Sequence, residues 1–175
     1  MYAMKDIQVI CEEGAAELVK LLFGQKVRGE ELAGLAGALD GAMVNVTVRR
    51  SKGWLYLAVN DPARFEVYET SIRRDENGDL YGYIHEVRVA VGQGGRGLGA
   101  RAFLRQVLAA RKLGLTRFEL FAAGDAADTS SNGYYTWARF GFNALLRESE
   151  RKILPPELRS AVNLNQLMRL GGWRW

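Results

Sequence analysis

The stretch VGQGGRGLGARAFLRQVL, Val91 to Leu108, places five glycines within eight residues and then passes straight into an amphipathic pattern. Glycine has no Cβ, so a turn rich in it lets backbone N–H groups come close to a ligand. A helix beginning there adds its own unsatisfied donors and about half a positive charge. Together they make an anion site of the kind that takes phosphate. Ala100, Phe103, Leu104, Val107 and Leu108 recur at helical spacing. That spacing predicts that they form the buried stripe of a helix closed by Gly114. Arg96, Arg101 and Arg105 bring formal charge to the same region, the last two one turn apart on the polar face.

Upstream of the glycines the hydrophobic period is two. MVNVTVRR puts Val44, Val46 and Val48 on one face, and WLYLAVN does the same with Leu55, Leu57 and Val59. RFEVYETSIRR reads as a third strand and LYGYIHEVRVAV as a fourth, joined across Asn77-Gly78, whose residues suit a tight turn. Connections this short make the four strands antiparallel neighbours. Downstream of the helix, TRFELFAA is a fifth strand, set parallel to the fourth by the intervening crossover. Two helices are expected before the meander. EEGAAELVKLLFG would carry Leu18, Leu21 and Leu22 on one side, and GEELAGLAGALDG would end near Gly41. Asn132 to Phe140 reads as a helix stopped by Gly141, ILPPELRSAV and NLNQLMRL as short helices, and GGWRW as a tail. The fold class that follows is α+β. It has a mixed central sheet, an antiparallel meander followed by a parallel β-α-β unit, with helices on both faces. No repeat or linker divides the 175 residues, which predicts a single domain, 1–175.

Composition narrows the chemistry. One cysteine, Cys11, leaves no internal disulfide and fits a reducing, cytoplasmic setting. One histidine, His85, all but excludes a zinc site of histidines and cysteines. No apolar run approaches the ~20 residues of a membrane span, and no membrane partner is expected. A net charge of +4 and a pI near 9.3 lean toward an anionic ligand or partner, nucleic acid included. The residues Gly92-Gln93-Gly94-Gly95-Arg96-Gly97 satisfy the dinucleotide pattern G-x-G-x-x-G. Here, however, the preceding strand closes an antiparallel meander, and Asp125 lies well beyond the expected acidic position.

The order of elements, the glycine loop opening a basic helix, and SNGYYTWARFGF further on resemble the GNAT superfamily of N-acetyltransferases, with this chain as a divergent member. That family carries Gln/Arg-x-x-Gly-x-Gly/Ala between strand and helix. The matching residues are Gly94-Gly95-Arg96-Gly97-Leu98-Gly99, with Gln93 one place before them. The resemblance covers roughly Met43 to Phe142 and leaves 143–175 atypical, since NALLRESERKILPPELRS offers no pair of closing strands. It implies acetyl-coenzyme A as cofactor, its pyrophosphate held by the loop amides and its acyl arm along the backbone of Val87, Val89 and Val91. Asn132 matches the asparagine that family members often carry near the start of their fourth helix. Trp137 stands where the family places its general-acid tyrosine, so Tyr134 and Tyr135 become the candidate acids. The general base is expected on the fourth strand, where His85 and Glu86 are candidates. On an unbroken strand they face opposite ways, His85 with Val87 and Val89, Glu86 with Arg88, unless a bulge intervenes. The implied activity is transfer of an acetyl group to an amine of a small molecule, a protein or an aminoacyl-tRNA, by a monomer or homodimer. The alternative is a catalytically silent module of the same fold that binds nucleic acid or a protein, with Trp54, Trp137, Trp173 and Trp175 available to stack on bases.

Overall fold

The computed structural model describes residues 6–123 and 133–171. The chain divides into two compact units, Met1–Phe121 and Ala122–Trp175.

The first unit is built on a six-stranded sheet in the order β1-β2-β3-β4-β5-β6. Its strands are β1 (Gln8–Cys11), β2 (Met43–Arg49), β3 (Trp54–Asn60), β4 (Phe65–Arg74), β5 (Leu80–Val89) and β6 (Arg117–Leu120). β2 to β5 form the antiparallel meander, and β6 returns parallel to β5. The expected α+β architecture is therefore present. β1 is an addition to it. Four residues long and with Ile10 half exposed, it pairs parallel to β2 through a crossover containing α1 (Ala15–Phe23) and α2 (Gly29–Ala36). A strand this short, whose partner lies two helices away, gives no local periodic signal.

The core fills one face of this sheet. Val44, Val46, Leu55, Leu57, Phe65, Tyr68 and Ile72 pack with residues of α1, α2 and α3 (Leu98–Lys112) in one cluster. α2 ends at Ala36 on the left-handed Gly37, short of the expected Gly41. The side of α1 turned inward is Ala15, Leu18, Val19 and Leu22, while Leu21 is 76% exposed.

The buried side of α3 also departs from the expected stripe. It consists of Leu98, Ala102, Gln106 and Ala110, whereas Leu104 and Leu108 are 59% and 58% exposed. Two alanines let the helix approach α2 and the sheet closely. The wholly buried Gln106 is satisfied by donating Nε2–H bonds to Leu35 O at 2.7 Å and Thr70 Oγ1 at 2.8 Å, and by accepting from Tyr68 O–H at 3.2 Å. Hydrophobic spacing overlooks a buried face made of alanine and a satisfied amide. At the β5–β6 contact, a Cβ on Gly82 would lie 2.3 Å from the Phe118 ring, so only glycine admits that ring.

In the second unit, α4 (Gly133–Arg139) runs into a left-handed Gly141. α5 (Glu148–Ile153), a 3-10 turn at Pro156–Leu158 and α6 (Leu164–Gly171) follow, with a small core of Leu158, Ala161 and Leu167. One antiparallel bridge joins Leu145 to Asn163, and among the described residues no strand follows β6. α5 occupies part of the stretch from which closing strands were missing.

Gln106→Leu should destabilise the protein by about 1–3 kcal/mol, because the Leu35 carbonyl and the Thr70 hydroxyl lose a buried partner. Leu108→Gln should stay within about 0.5 kcal/mol of the parent. Chemical denaturation midpoints compare the two; the reverse order would restore the stripe read from spacing.

Candidate functional site

The register of β4 against β5 sets the site. Thr70 pairs with Ile84, but its neighbour Glu69 pairs with Glu86, so His85 is an extra residue in β5. Such a bulge turns side chains that alternation would separate. Cross-strand pairs define the faces. Leu55, Ile72, Leu57 and Thr70 share the core face, whereas Tyr56, Ser71, Ala58 and Glu69 share the other. Tyr83 opposes Ser71 and Glu86 opposes Glu69, so both lie on that second face. His85 lies there too, with its ring against Tyr56, Tyr83 and Ser71. Val87 and Val89 return to the core face and pack on the main cluster. The expectation that His85 shares a face with Val87 and Val89 is thus corrected, because the bulge sits at His85 itself. Its consequence is that His85 and Glu86 are brought to the same side of the sheet.

The His85 ring stacks on Tyr56 at 4.9 Å between centroids and meets the edge of Tyr83 at 5.0 Å. Arg73 donates its Nε–H to Ser71 Oγ at 2.8 Å, and Ser71 Oγ is 3.0 Å from His85 Nε2. With Arg73 supplying that donor, the Ser71 hydroxyl donates to Nε2, and the network assigns the ring proton to Nδ1. An Arg73 terminal nitrogen lies 3.5 Å from the same Nε2. Burial, followed by the charges of Arg73 and Arg49, pushes the His85 pKa below its ordinary 6.5. At neutral pH the imidazole is an uncharged base. Glu86 is exposed and forms an ion pair with Arg88, which also reaches Glu66 at 3.7 Å.

β5 runs to Val89, but β6 pairs with it only from Tyr81 to Ile84. Beyond Ile84 the β6 edge of β5 has no strand partner among the described residues. On that edge the backbone of Val87 and Val89 therefore has no strand partner among the described residues, while their side chains pack on the core. Val91 lies beyond the strand and is exposed.

The glycine loop follows directly. Gly92, Gly95 and Gly97 all have positive φ, at 75°, 74° and 68°, and Gly97 serves as N-cap of α3 without a side-chain cap. A Cβ at Gly94, Gly95, Gly97 or Gly99 would meet nothing within 4 Å, so the turn borders open space. Gln93 N–H donates to Ala90 O and Arg101 N–H to Gly97 O; among the described residues, the amides from Gly94 to Ala100 have no acceptor. These orphan donors, unobstructed and at the start of a fifteen-residue helix, fit a diphosphate. Arg96 bonds Gln93 Oε1 at 3.1 Å and remains exposed. The Leu98 side chain is buried in the core, so Leu98 offers the loop only its amide. Arg105 is tied to Asp40 at 2.9 Å and Ala38 O at 3.1 Å, which leaves Arg96 and Arg101 as the cations near the turn.

Asn132 and the side chains of Tyr134 and Tyr135 lie outside the described residues. Trp137 packs edge-on against Phe140 and Phe142, at 5.9 and 5.4 Å, within the second unit. Among the described residues no three His, Cys, Asp or Glu side chains gather to hold a metal, and no helix is long and apolar enough to cross a membrane. Sequence reasoning missed Ser71, Arg73 and Tyr56. Their signal was the alternation of β3 and β4, which sets Tyr56, Ser71 and Arg73 on the face away from the main core, where Ser71 is itself buried.

No family model and no curated protein matches the chain. It is similar to several solved structures. One is an acetyltransferase from Trypanosoma brucei, 20% identical over 78% of this chain and 91% of that one, with a TM-score of 0.38. Another is a transcriptional regulator from Bacillus halodurans, 13% identical over 78% and 91%, with a TM-score of 0.43. A third is an aminoglycoside acetyltransferase from an uncultured soil metagenomic sample, in complex with sisomicin, 11% identical over 71% and 74%, with a TM-score of 0.38.

His85 is the sole histidine, so one imidazole resonance reports its titration by NMR without assignment. Its midpoint should fall below 6.5, and Arg73→Gln should raise it. Because the native midpoint lies below the unfolded one, the stability due to neutral His85 is complete above about 6.5 and declines as pH falls from there through the native midpoint. A native midpoint above 6.5 would contradict the described surroundings of the ring.

Proposed function

We propose that the chain is a GNAT-type N-acetyltransferase that takes its acetyl group from acetyl-coenzyme A and acts in the cytoplasm. The observation that carries this reading is the continuity of two open donor sets. Among the described residues the amides from Gly94 to Ala100 lack acceptors, and the stretch of β5 that leads to them has lost its β6 partner after Ile84. A ligand with a diphosphate and a long amide-bearing arm matches both at once, and the resemblance of the loop residues to the family motif supports the same ligand.

The bound carrier supplies a thioester, an acyl group already activated toward amines. The protein's own residues do the rest. The loop amides and the α3 dipole hold the diphosphate, with Arg96 adding an exposed charge. The backbone of Val87 and Val89 aligns the arm, and its free N–H groups can meet a carbonyl oxygen on which charge develops. In the net transfer an N–C bond forms, the C–S bond breaks, the thiol sulfur gains a proton and the amine loses one. Neutral His85 is the candidate to accept the amine's proton at Nε2, with the Ser71 hydroxyl that donates to that nitrogen relaying the proton or turning away to admit it. Glu86 shares its face but is engaged by Arg88. Tyr134 and Tyr135 remain the candidate donors to the sulfur.

His85→Gln should lower kcat by about 100-fold while leaving the coenzyme A dissociation constant within about two-fold. Arg96→Glu should weaken coenzyme A binding by about ten-fold at low salt, with the difference shrinking as salt rises. Thiol release from acetyl-coenzyme A over a panel of amines, combined with thermal shifts by coenzyme A, checks both. Coenzyme A binding without thiol release would favour a catalytically silent module; no binding would end the proposal.

A further inference from the structure

The sheet face that carries His85 also carries cations held by aromatic rings instead of by acids. The Arg73 guanidinium carbon sits 3.7 Å from the Trp54 ring centroid and 4.1 Å from that of Tyr83. Lys52 Nζ is 4.4 Å from the Trp54 centroid, and Arg49 is 5.3 Å from that of Tyr56, the ring on which His85 stacks. None of Arg49, Lys52 and Arg73 has a carboxylate partner among the described residues. By contrast Arg64, Arg88, Arg105, Lys112 and Arg117 all form ion pairs. Arg49 and Lys52 are exposed and Arg73 is half-buried. Ring contacts orient these charges at little entropic cost to a ligand, and they leave the positive charge unneutralised. The face is polarised along β4. Arg73 lies near one end, Ser71 and His85 come next, and Glu69, opposite Glu86, follows in mid-strand.

We propose that Arg49, Lys52 and Arg73 form an oxyanion subsite beside His85, so that the acceptor is a small amine carrying a phosphate or carboxylate group. This rests on the acetyltransferase reading for the word acceptor, while the anion site itself does not. An anionic group on the three cations places the rest of a small molecule next to His85, with the carboxylate of Glu69 beyond it to attract an ammonium. The rings favour a small oxyanion over nucleic acid. Trp54 already holds Arg73 and Lys52, and Tyr56 holds Arg49 and the His85 ring, so the face offers N–H donors and little free aromatic surface for bases.

The test follows the His85 imidazole resonance at fixed pH while inorganic phosphate is added, in free protein and again with saturating coenzyme A so that the glycine loop is filled. The expected result is a saturable shift in both. The midpoint should be raised by about ten-fold or more in Arg49→Gln/Lys52→Gln and changed by less than about two-fold in Lys20→Gln/Lys26→Gln, which removes the same charge elsewhere. In the thiol-release assay, 2-aminoethyl phosphate or β-alanine should exceed ethanolamine by about ten-fold in kcat/KM, and the better of the two anions identifies the group. A shift seen only without coenzyme A would place phosphate in the glycine loop and overturn the subsite, as would no shift at all. An oligothymidylate that moves the resonance at far lower concentration than phosphate would overturn it in favour of nucleic acid. Failure of coenzyme A to stabilise the protein would reject the carrier reading alone, since the titration of free protein and its variants still decides the anion site.

Discussion

A single inserted residue in β5 determines how chemistry and core coexist on one strand. Up to Ile84 the strand alternates between buried and half-buried positions, and from Val87 it does so again in the shifted phase that keeps Val87 and Val89 in the core. His85 absorbs the phase change. Without it, either the two valines or His85 and Glu86 would face the wrong way. The bulge also coincides with the point where β6 stops pairing, so the strand changes at one place from a structural element into an open edge. That edge leads straight into the glycine loop.

The loop and the bulge answer different physical demands. Positive φ at Gly92, Gly95 and Gly97 requires glycine for backbone reasons, while Gly94 and Gly99 border open space without that constraint. An amide cluster with no protein acceptor is a cost that only solvent or a ligand can offset. The same logic applies to Arg73, a charge held between two rings without a carboxylate among the described residues. In both places the described residues leave an anion's natural partner exposed to a ligand, the loop amides without acceptors and Arg73 without a carboxylate although it donates to Ser71.

Much of this was legible in the sequence, for definite reasons. The meander, the parallel β6 and the start of α3 follow from period, turn residues and glycine placement, which are local signals. The bulge could be named only as a condition, because register is a property of two strands. The buried side of α3 was misread because apolar spacing ranks Leu104 and Leu108 above Ala102 and Gln106. Packing instead favours small residues at a close helix contact and an amide whose partners, Leu35 O and Thr70 Oγ1, lie far away in sequence. The Tyr56–Ser71–Arg73 grouping around His85 escaped for a similar reason. Each residue is ordinary alone, and only the alignment of three strands gathers them.

The central claim is that one ligand spans the loop amides and the open edge of β5. Backbone amide resonances followed during a coenzyme A titration test it most directly. The account predicts that the largest shifts fall on Gly94 to Ala100 and on His85 to Val89, saturating together at one midpoint. Saturable binding that leaves both segments unmoved, or that moves the loop while the β5 edge stays silent, would contradict it.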